Sequence, residues 1–125
     1  MSVLVTGGAG YIGSATVEAL RQRGESVVVY DNLSAGHPEA LDTKVTLVTG
    51  EIADNDLLRQ TIDQYRIDEI IHFAAFTSVP ESVARPDLYF QNNTANALGL
   101  LDVMHEKGVG RFIFSSTAAT YGEPQ

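Results

Sequence analysis

The sequence predicts an α/β fold, a doubly wound parallel sheet of five strands in the order 3-2-1-4-5 with helices on both faces. Short apolar segments alternate with segments of helical periodicity along the chain, and a glycine-rich turn joins the first strand to the first helix. Right-handed crossovers then give this strand order, with a crevice between strands one and four at their carboxyl ends. A length of 125 residues suits a single domain.

The first strand is predicted at Ser2–Thr6, and a helix follows the glycine turn from Tyr11 to Arg23. Gly24 ends this helix. The second strand is predicted at Ser26–Tyr30. This helix is predicted from apolar residues at helical spacing: Ile12, Ala15, Ala19 and Leu20.

A loop that contains Gly36 and Pro38 leads to the third strand, predicted at Val45–Val48. Asp54 is the predicted N-cap of the second helix, because its carboxylate can accept a hydrogen bond from the first helical turn. Glu69–Phe73 is the fourth predicted strand. The second helix carries four apolar residues: Leu57, Leu58, Ile62 and Tyr65.

A long helix is predicted from Pro86 to Lys107, with Gly108 just past its end. Arg111–Ser115 is the fifth predicted strand. The second half of the long helix has an apolar band that is too wide for one buried face and therefore predicts burial on a second side. The band comprises Ala95, Ala97, Leu98, Leu100, Leu101, Val103 and Met104.

The turn after the first strand has glycines at regular spacing, Gly7, Gly10 and Gly13, and Gly8 gives a second register with the last two. Glycine permits a tight turn, close approach of backbone N–H groups to phosphate, and close packing of helix on strand. The helix N-terminus adds partial positive charge. This pattern predicts a pyrophosphate site in a dinucleotide-binding Rossmann fold.

Asp31 directly follows the apolar run of the second strand, 18 residues beyond Gly13, where a carboxylate can accept hydrogen bonds from an adenosine ribose. The same carboxylate repels a 2′-phosphate, and no arginine or lysine lies between Asp31 and Lys44 to bind one. NAD is therefore predicted in preference to NADP. The alternative is an ordinary strand-to-helix turn in which Asp31 caps a loop.

The composition disfavours several classes of binding partner. Sixteen acidic and eight basic residues give a net charge of −8, which disfavours nucleic acid. No segment approaches the length of a membrane span, and the absence of cysteine fits a cytoplasmic protein.

The three histidines, His37, His72 and His105, lack metal-ligand spacing. No metal site is therefore predicted, and structural or solvent-facing roles are expected for them. Glu81 and Ser82 fit a local helix cap and a functional site equally well.

Six segments, in order along the chain, carry a more specific signal: Thr6–Gly13, Asp31-Asn32, His72–Ala75, Val79–Val83, Asn92-Asn93 and Ser115–Gly122. Together they resemble the UDP-glucose (UDP-galactose) 4-epimerases of the extended short-chain dehydrogenase/reductase family. The resemblance covers the whole chain but only the N-terminal part of the family's enzymes. It implies that residues 1–125 are the NAD-binding domain of an isomerase that removes a hydride from a UDP-sugar and returns it.

The resemblance also implies the residues of the NAD site. Tyr11 and Ile12 lie over the pyrophosphate, and Glu51 and Ile52 border the adenine. Thr77 stands where some members have lysine and Glu51 where the familiar pattern has aspartate, so weaker cofactor binding is expected. The residues around the ribose are Asp31, Asn32, Leu33, Ser34, Ala35 and Gly36. Those lining the crevice are Phe73, Ala74, Ala75 and Thr77, with Asn92 reaching in from the long helix.

Thr117 matches the serine or threonine that hydrogen-bonds the reacting sugar oxygen in this family, and it is the implied catalytic residue. Ala118 and Ala119 follow it, where the related 4,6-dehydratases carry aspartate and glutamate for acid–base chemistry. The related decarboxylases usually keep a glutamate at the second position. Alanine cannot transfer a proton, so the pair favours an epimerase. A turn at Thr117–Gly122 that packs without contacting substrate is the alternative.

Members of the family also use a Tyr-x-x-x-Lys pair, in which the lysine lowers the pKa of the tyrosine that removes the hydroxyl proton. None of the five tyrosines here has a lysine four residues later. We therefore expect a fragment that binds NAD but has no epimerase activity alone, since the catalytic helix and substrate domain are absent. The UDP-sugar is the partner of the full-length parent. The alternatives are a free-standing, non-catalytic dinucleotide-binding module and a fragment of another NAD-dependent nucleotide-sugar enzyme.

An incomplete sheet also predicts self-association. The apolar centre of the fifth strand, Phe112–Phe114, lies on an open edge if no sixth strand pairs with it. Extended members of the family commonly dimerise through the long helix. A homo-oligomer is therefore expected, formed through the long helix or through the edge of strand five.

Overall fold

The computed structural model describes residues 1–123, apart from the side chain of Ala118. Its five strands are β1 Ser2–Thr6, β2 Ser26–Asp31, β3 Thr46–Thr49, β4 Glu69–His72 and β5 Arg111–Phe114. All pair in parallel in the order β3-β2-β1-β4-β5. The predicted fold class and strand order are confirmed.

The α-helices are α1 Tyr11–Gln22, α2 Asn55–Tyr65, α3 Val79–Ala84, α4 Pro86–Tyr89 and α5 Asn96–Lys107. A π-helical segment, Phe90–Ala95, joins α4 to α5, and short 3₁₀ turns occur at Pro38–Ala40 and Ala118–Tyr121. The long helix predicted from Pro86 is therefore helical throughout but not uniformly α-helical. No helix within residues 1–123 is long and apolar enough to cross a membrane.

The core has two parts because successive residues of a strand point to opposite faces of the sheet. Leu4 and Ile70 pack with α2 and α5 on one face, and Val3 and Val5 pack with Val17 of α1 on the other. Central β1 is bonded on both sides, with Thr6 paired to Tyr30 and to His72. The carboxyl ends of β1, β2 and β4 therefore lie side by side, where polar residues can form a site.

The predicted first helix is confirmed as α1, but the apolar residues that predicted it are not the ones it buries. Ile12, Ala15 and Ala19 are exposed and Leu20 is half-buried, whereas Gly13 and Val17 are buried. Gly13 decides the orientation: a Cβ there would overlap the carbonyl oxygen of Gly7, so the helix backbone itself packs on the turn. Apolar spacing cannot reveal a face that is set by a missing side chain.

The strand boundaries differ from the predicted ones by at most one residue. β2 ends one residue later than predicted, β3 is shifted one residue towards the C-terminus, and β4 and β5 each end one residue earlier. The predicted N-cap of α2 is confirmed, since the Asp54 carboxylate accepts from Leu57 N–H at 3.0 Å. The six-residue helix α3 was not predicted from the sequence, and its apolar Val79 and Val83 are exposed.

The apolar band of the long helix is buried on one side only. Leu100, Val103 and Met104 belong to the core, whereas Leu98 is 58% exposed and Leu101 39%. The predicted burial on a second side is therefore wrong for the described residues, since nothing within residues 1–123 covers it. Ile113 and Phe114 of edge strand β5 are also more than half exposed. These surfaces are apolar and available for contact.

Candidate functional site

A cleft of about 550 Å³ opens at the carboxyl ends of β1, β2 and β4. It brings together most of the predicted cofactor residues, which come from the glycine turn, the loop after β2, the start of the loop after β3, and the segment after β4. The predicted residues that line it are Gly7, Gly10, Tyr11, Asp31, Asn32, Ser34, Ala35, Gly36, Glu51, Ile52, Phe73, Ala74, Ala75, Thr77 and Asn92.

The glycine turn fits tightly between β2 and the segment after β4. Gly7 has φ +69°, and a Cβ on it would lie 2.8 Å from the Ala74 nitrogen. Its N–H donates to the Tyr30 carbonyl at 2.9 Å, and its carbonyl accepts from Gly10 N–H at 3.1 Å. Only glycine combines this positive φ with so close an approach of two backbone segments.

Helix α1 begins at the cleft. The first N–H groups of a helix have no intrahelical acceptors, and Gly10, the N-cap, has no side chain that could occupy them. The adjoining Tyr11 side chain is 95% exposed. The helix dipole places partial positive charge at the same point. This end of the cleft is therefore suited to an anionic group such as a phosphate.

Asp31 links the turn to the loop after β2. Its carboxylate is buried, with Oδ2 accepting from Ala9 N–H at 3.0 Å and Oδ1 accepting from Leu33 N–H at 2.8 Å. Leu33 adopts φ +62°, which is uncommon for a residue other than glycine. Asp31 thus does cap a loop, but it also lines the cleft, and each carboxylate oxygen has a further lone pair.

Beyond Asp31, polar contacts order the outer end of the cleft. Asn32 Nδ2 donates to Glu51 Oε2 at 3.0 Å, and Asn32 Oδ1 accepts from both the N–H and the hydroxyl of Ser34. The Tyr30 hydroxyl donates to the Glu51 carbonyl at 2.7 Å. Burial, with smaller effects of Asp54 and Glu51, raises the pKa of Tyr30 well above its usual value, so it remains a neutral donor.

Under the β4 side of the cleft lies a buried pair, Thr6 and His72. Thr6 Oγ1 and His72 Nδ1 are 2.6 Å apart, and Ala74 N–H donates to the same hydroxyl at 3.4 Å. Because Thr6 accepts from Ala74, its own O–H can donate to a neutral imidazole. Burial lowers the pKa of His72 to about 4, which keeps it neutral. A structural role for His72 is confirmed; His37 and His105 are exposed.

The far wall of the cleft contains residues that the sequence did not predict as site residues, above all Phe76, Ser78 and Tyr89. The Tyr89 hydroxyl donates to Glu81 Oε2 at 3.0 Å, and the Phe76 and Tyr89 rings lie 5.5 Å apart. Of the two readings left open for Glu81, its position in the cleft favours the site, while Ser78 is the cap of α3. Tyr30 and Gly50 are further unpredicted lining residues.

One signal for this wall was present in the sequence. The side chain of Asn93 bonds both the N–H and the carbonyl of Phe76, at 2.8 and 2.9 Å, and so fixes the loop after β4 against the π-helical segment. The neighbouring Asn92 lines the cleft. The Asn92-Asn93 pair marks this contact, but sequence spacing alone does not identify its partner.

Four predicted site residues do not line the cleft. Gly13 is buried beneath the turn, Ile12 is 61% exposed, and Leu33 is half-buried beside Asp31. Thr117 is exposed after β5, where its hydroxyl accepts from Ala119 N–H at 3.2 Å and caps the 3₁₀ turn. Its role in catalysis stays a prediction. The side chain of Ala118 lies outside the described residues.

The charged residues that line the cleft are all acidic. They are Asp31, Glu51 and Glu81, and no lysine, arginine or histidine among the described residues lines it. Within residues 1–123 no group of three or more histidine, cysteine, aspartate or glutamate side chains could hold a metal ion. Attraction for an anionic ligand must therefore come from backbone N–H groups and the dipole of α1.

Comparison with known proteins identifies relatives along the whole chain. The sequence model of the NAD dependent epimerase/dehydratase family matches residues 3–125. UDP-glucose 4-epimerase of Lacticaseibacillus casei is 51% identical over 125 residues, which are all of this chain and 38% of that protein. The enzyme of Azospirillum brasilense is 49% identical over 98% of this chain and 35% of its own length. The chain thus spans little more than a third of these relatives.

Solved structures of UDP-glucose 4-epimerases superpose on the whole chain. UDP-glucose 4-epimerase from Brucella ovis, in complex with NAD, superposes with a TM-score of 0.91 at 44% identity, covering 99% of this chain and 38% of that one. The Thermotoga maritima enzyme with UDP-glucose gives 0.91 at 39% identity, over 100% and 41% of the two chains.

Proposed function

The chain belongs to the NAD dependent epimerase/dehydratase family, and from this premise we propose that residues 1–125 are the NAD-binding domain of a UDP-glucose 4-epimerase. The observation that carries the proposal is the cleft itself. An uncapped helix N-terminus and a carboxylate with free lone pairs lie at its two sides, Tyr11 marking the first and Asp31 the second. These are the groups that a pyrophosphate and an adenosine ribose require.

The residues present fit the cofactor. Backbone N–H groups at the start of α1 would hold the pyrophosphate, and Asp31 would accept from the ribose hydroxyls while its charge repels a 2′-phosphate. The adenine would lie near Glu51 and Ile52. The segment Phe73–Thr77, with Asn92, would line the other half of the cleft. NAD, when bound, supplies hydride removal and return.

For the chemistry, we propose that residues 1–125 supply a substrate contact but not the general base. Thr117 would hydrogen-bond the reacting oxygen of a UDP-sugar, and Ala119 leaves no acid or base beside it, which suits epimerisation rather than dehydration. Residues 1–125 contain no Tyr-x-x-x-Lys pair to act as general base. General acid–base groups typically contribute roughly 10²- to 10⁴-fold, so we expect these residues to bind NAD without measurable epimerase activity alone.

A coupled assay for conversion of UDP-galactose to UDP-glucose tests whether residues 1–125 lack the general base. No turnover above the blank is expected with the purified chain and NAD⁺. Adding the remaining residues of a relative as a second polypeptide is the matched positive arm. Turnover by the chain alone would refute the proposal that its catalytic base is missing.

We also propose that the chain self-associates. The exposed apolar side chains on the long helix and on edge strand β5 support this proposal, because an unpaired edge with large apolar residues favours pairing with a second chain. Sedimentation at increasing protein concentration tests it. A mass that remains that of one chain would contradict it.

A further inference from the structure

One carboxylate in the cleft has no part in the cofactor contacts proposed above. Glu81 lies on the far wall, on helix α3, and its Oε2 accepts from the Tyr89 hydroxyl at 3.0 Å. Partial burial, and then the neighbouring Glu81, raise the pKa of Tyr89, so its O–H remains a donor at neutral pH. The Phe76 ring packs on Tyr89. The carboxylate is therefore held against the wall of the cleft.

The geometry of the cleft determines which half of a dinucleotide meets Glu81. The adenosine ribose belongs to Asp31 at the end of β2, and the pyrophosphate to the start of α1 beside Tyr11. The remaining half must extend away from β2, over the end of β4. That side of the cleft is lined by Ala74, Thr77 and Glu81. The nicotinamide half is thus the part nearest to this carboxylate.

The nicotinamide ring changes charge when it reacts. The oxidised ring carries one positive charge and the reduced ring is neutral, whereas the phosphates and the adenosine half are unchanged. No lysine, arginine or histidine of residues 1–123 lines the cleft, and Arg85, which lies near enough to interact with Glu81, is paired with Asp87. An interaction between Glu81 and the ring therefore differs between the two oxidation states.

We propose that Glu81, oriented by Tyr89, is a specificity-determining residue that favours binding of oxidised over reduced NAD. The inference rests on the proposed function, because it needs a dinucleotide in the cleft. Glu81 is exposed, so that water and salt screen its charge. The effect on the affinity ratio is accordingly modest, about 2- to 5-fold at low ionic strength.

The test measures dissociation constants of NAD⁺ and NADH for the 125-residue chain and two variants. Glu81→Gln keeps an oxygen for the Tyr89 hydroxyl and removes the charge, and it should lower the preference for NAD⁺ about 2- to 5-fold. Glu51→Gln is the matched control: it removes the same charge at the adenine end and keeps an acceptor for Asn32. It should change both constants by the same factor. The Glu81 effect should shrink in high salt.

The outcomes separate the two proposals. If both forms bind and Glu81→Gln has the wild-type ratio, or if Glu51→Gln shifts the ratio equally, the role of Glu81 is wrong and the NAD site stands. If the wild-type chain binds neither form, the proposed function is wrong and the role of Glu81 falls with it.

Discussion

The carboxylate of Asp31 accepts a hydrogen bond from the backbone N–H of Ala9 at 3.0 Å, and this buried bond joins the end of β2 to the glycine turn. The other oxygen of Asp31 holds Leu33 N–H at 2.8 Å. One side chain therefore fixes the turn that would bind the pyrophosphate and the loop that would bind the ribose. Asp31 connects the fold to the proposed cofactor specificity, which makes it the most informative site for mutation.

Replacing Asp31 should separate these two roles. Asp31→Ala leaves two N–H donors unpaired, at a cost of about 1–3 kcal/mol for each one that stays buried, and denaturant unfolding measures this loss. Asp31→Asn keeps one of the two acceptor oxygens and so one of the two bonds. It also removes the charge that repels a 2′-phosphate, so the ratio of NADP⁺ to NAD⁺ affinity should rise. The exposed Glu39→Gln controls for loss of one negative charge. An unchanged ratio in Asp31→Asn would falsify its role in cofactor selection.

Two glycines with similar φ test the tight fit of the turn. A Cβ on Gly24, at φ +82°, meets no atom within 4 Å, so Gly24→Ala should cost only the backbone penalty of about 1–2 kcal/mol. A Cβ on Gly7, at φ +69°, adds a collision with Ala74. Gly7→Ala should therefore lower the free energy of unfolding by at least about 1 kcal/mol more than Gly24→Ala. Equal losses in the two variants would mean that the turn and the β4 segment can separate freely.

Burial of His72 predicts a specific acid sensitivity. Its pKa is lowered from 6.5 to about 4 in the folded protein, so the unfolded chain binds the extra proton more readily. The stability from the neutral ring is complete above about pH 6.5, falls as the pH drops towards 4, and levels off below it, a loss of roughly 3 kcal/mol. Unfolding measured from pH 7.5 to 3.5 should show this loss in the wild type and a smaller one in His72→Asn. Parallel curves for the two proteins would contradict it.

The exposed β5 edge and the exposed face of α5 can be distinguished as sites of self-association. Ile113→Lys places a charge on the open strand edge, and Leu98→Lys does so on the helix. We expect at least one of them to lower the sedimentation-average mass to that of one chain, and the variant that does so identifies the surface. Exposed Val79→Lys on α3 controls for a general gain in solubility. Association that persists in both test variants would exclude both surfaces.

The strand order and the position of the cleft could be predicted because they depend on local signals. The glycine turn, the alternating segments and Asp31 at the end of β2 each follow from backbone chemistry at one place in the chain. The face of α1 could not be predicted, since the missing side chain of Gly13 decides it. The far wall depends on contacts between distant segments, such as Asn93 with Phe76, which spacing does not reveal.

Calorimetric titration of the 125-residue chain with NAD⁺ tests the central claim most directly. The account predicts saturable binding of one NAD⁺ per chain, tighter than that of NADP⁺ under the same conditions and weakened in Gly7→Ala. Absence of binding at millimolar NAD⁺ by a folded chain, or tighter binding of NADP⁺, would contradict it.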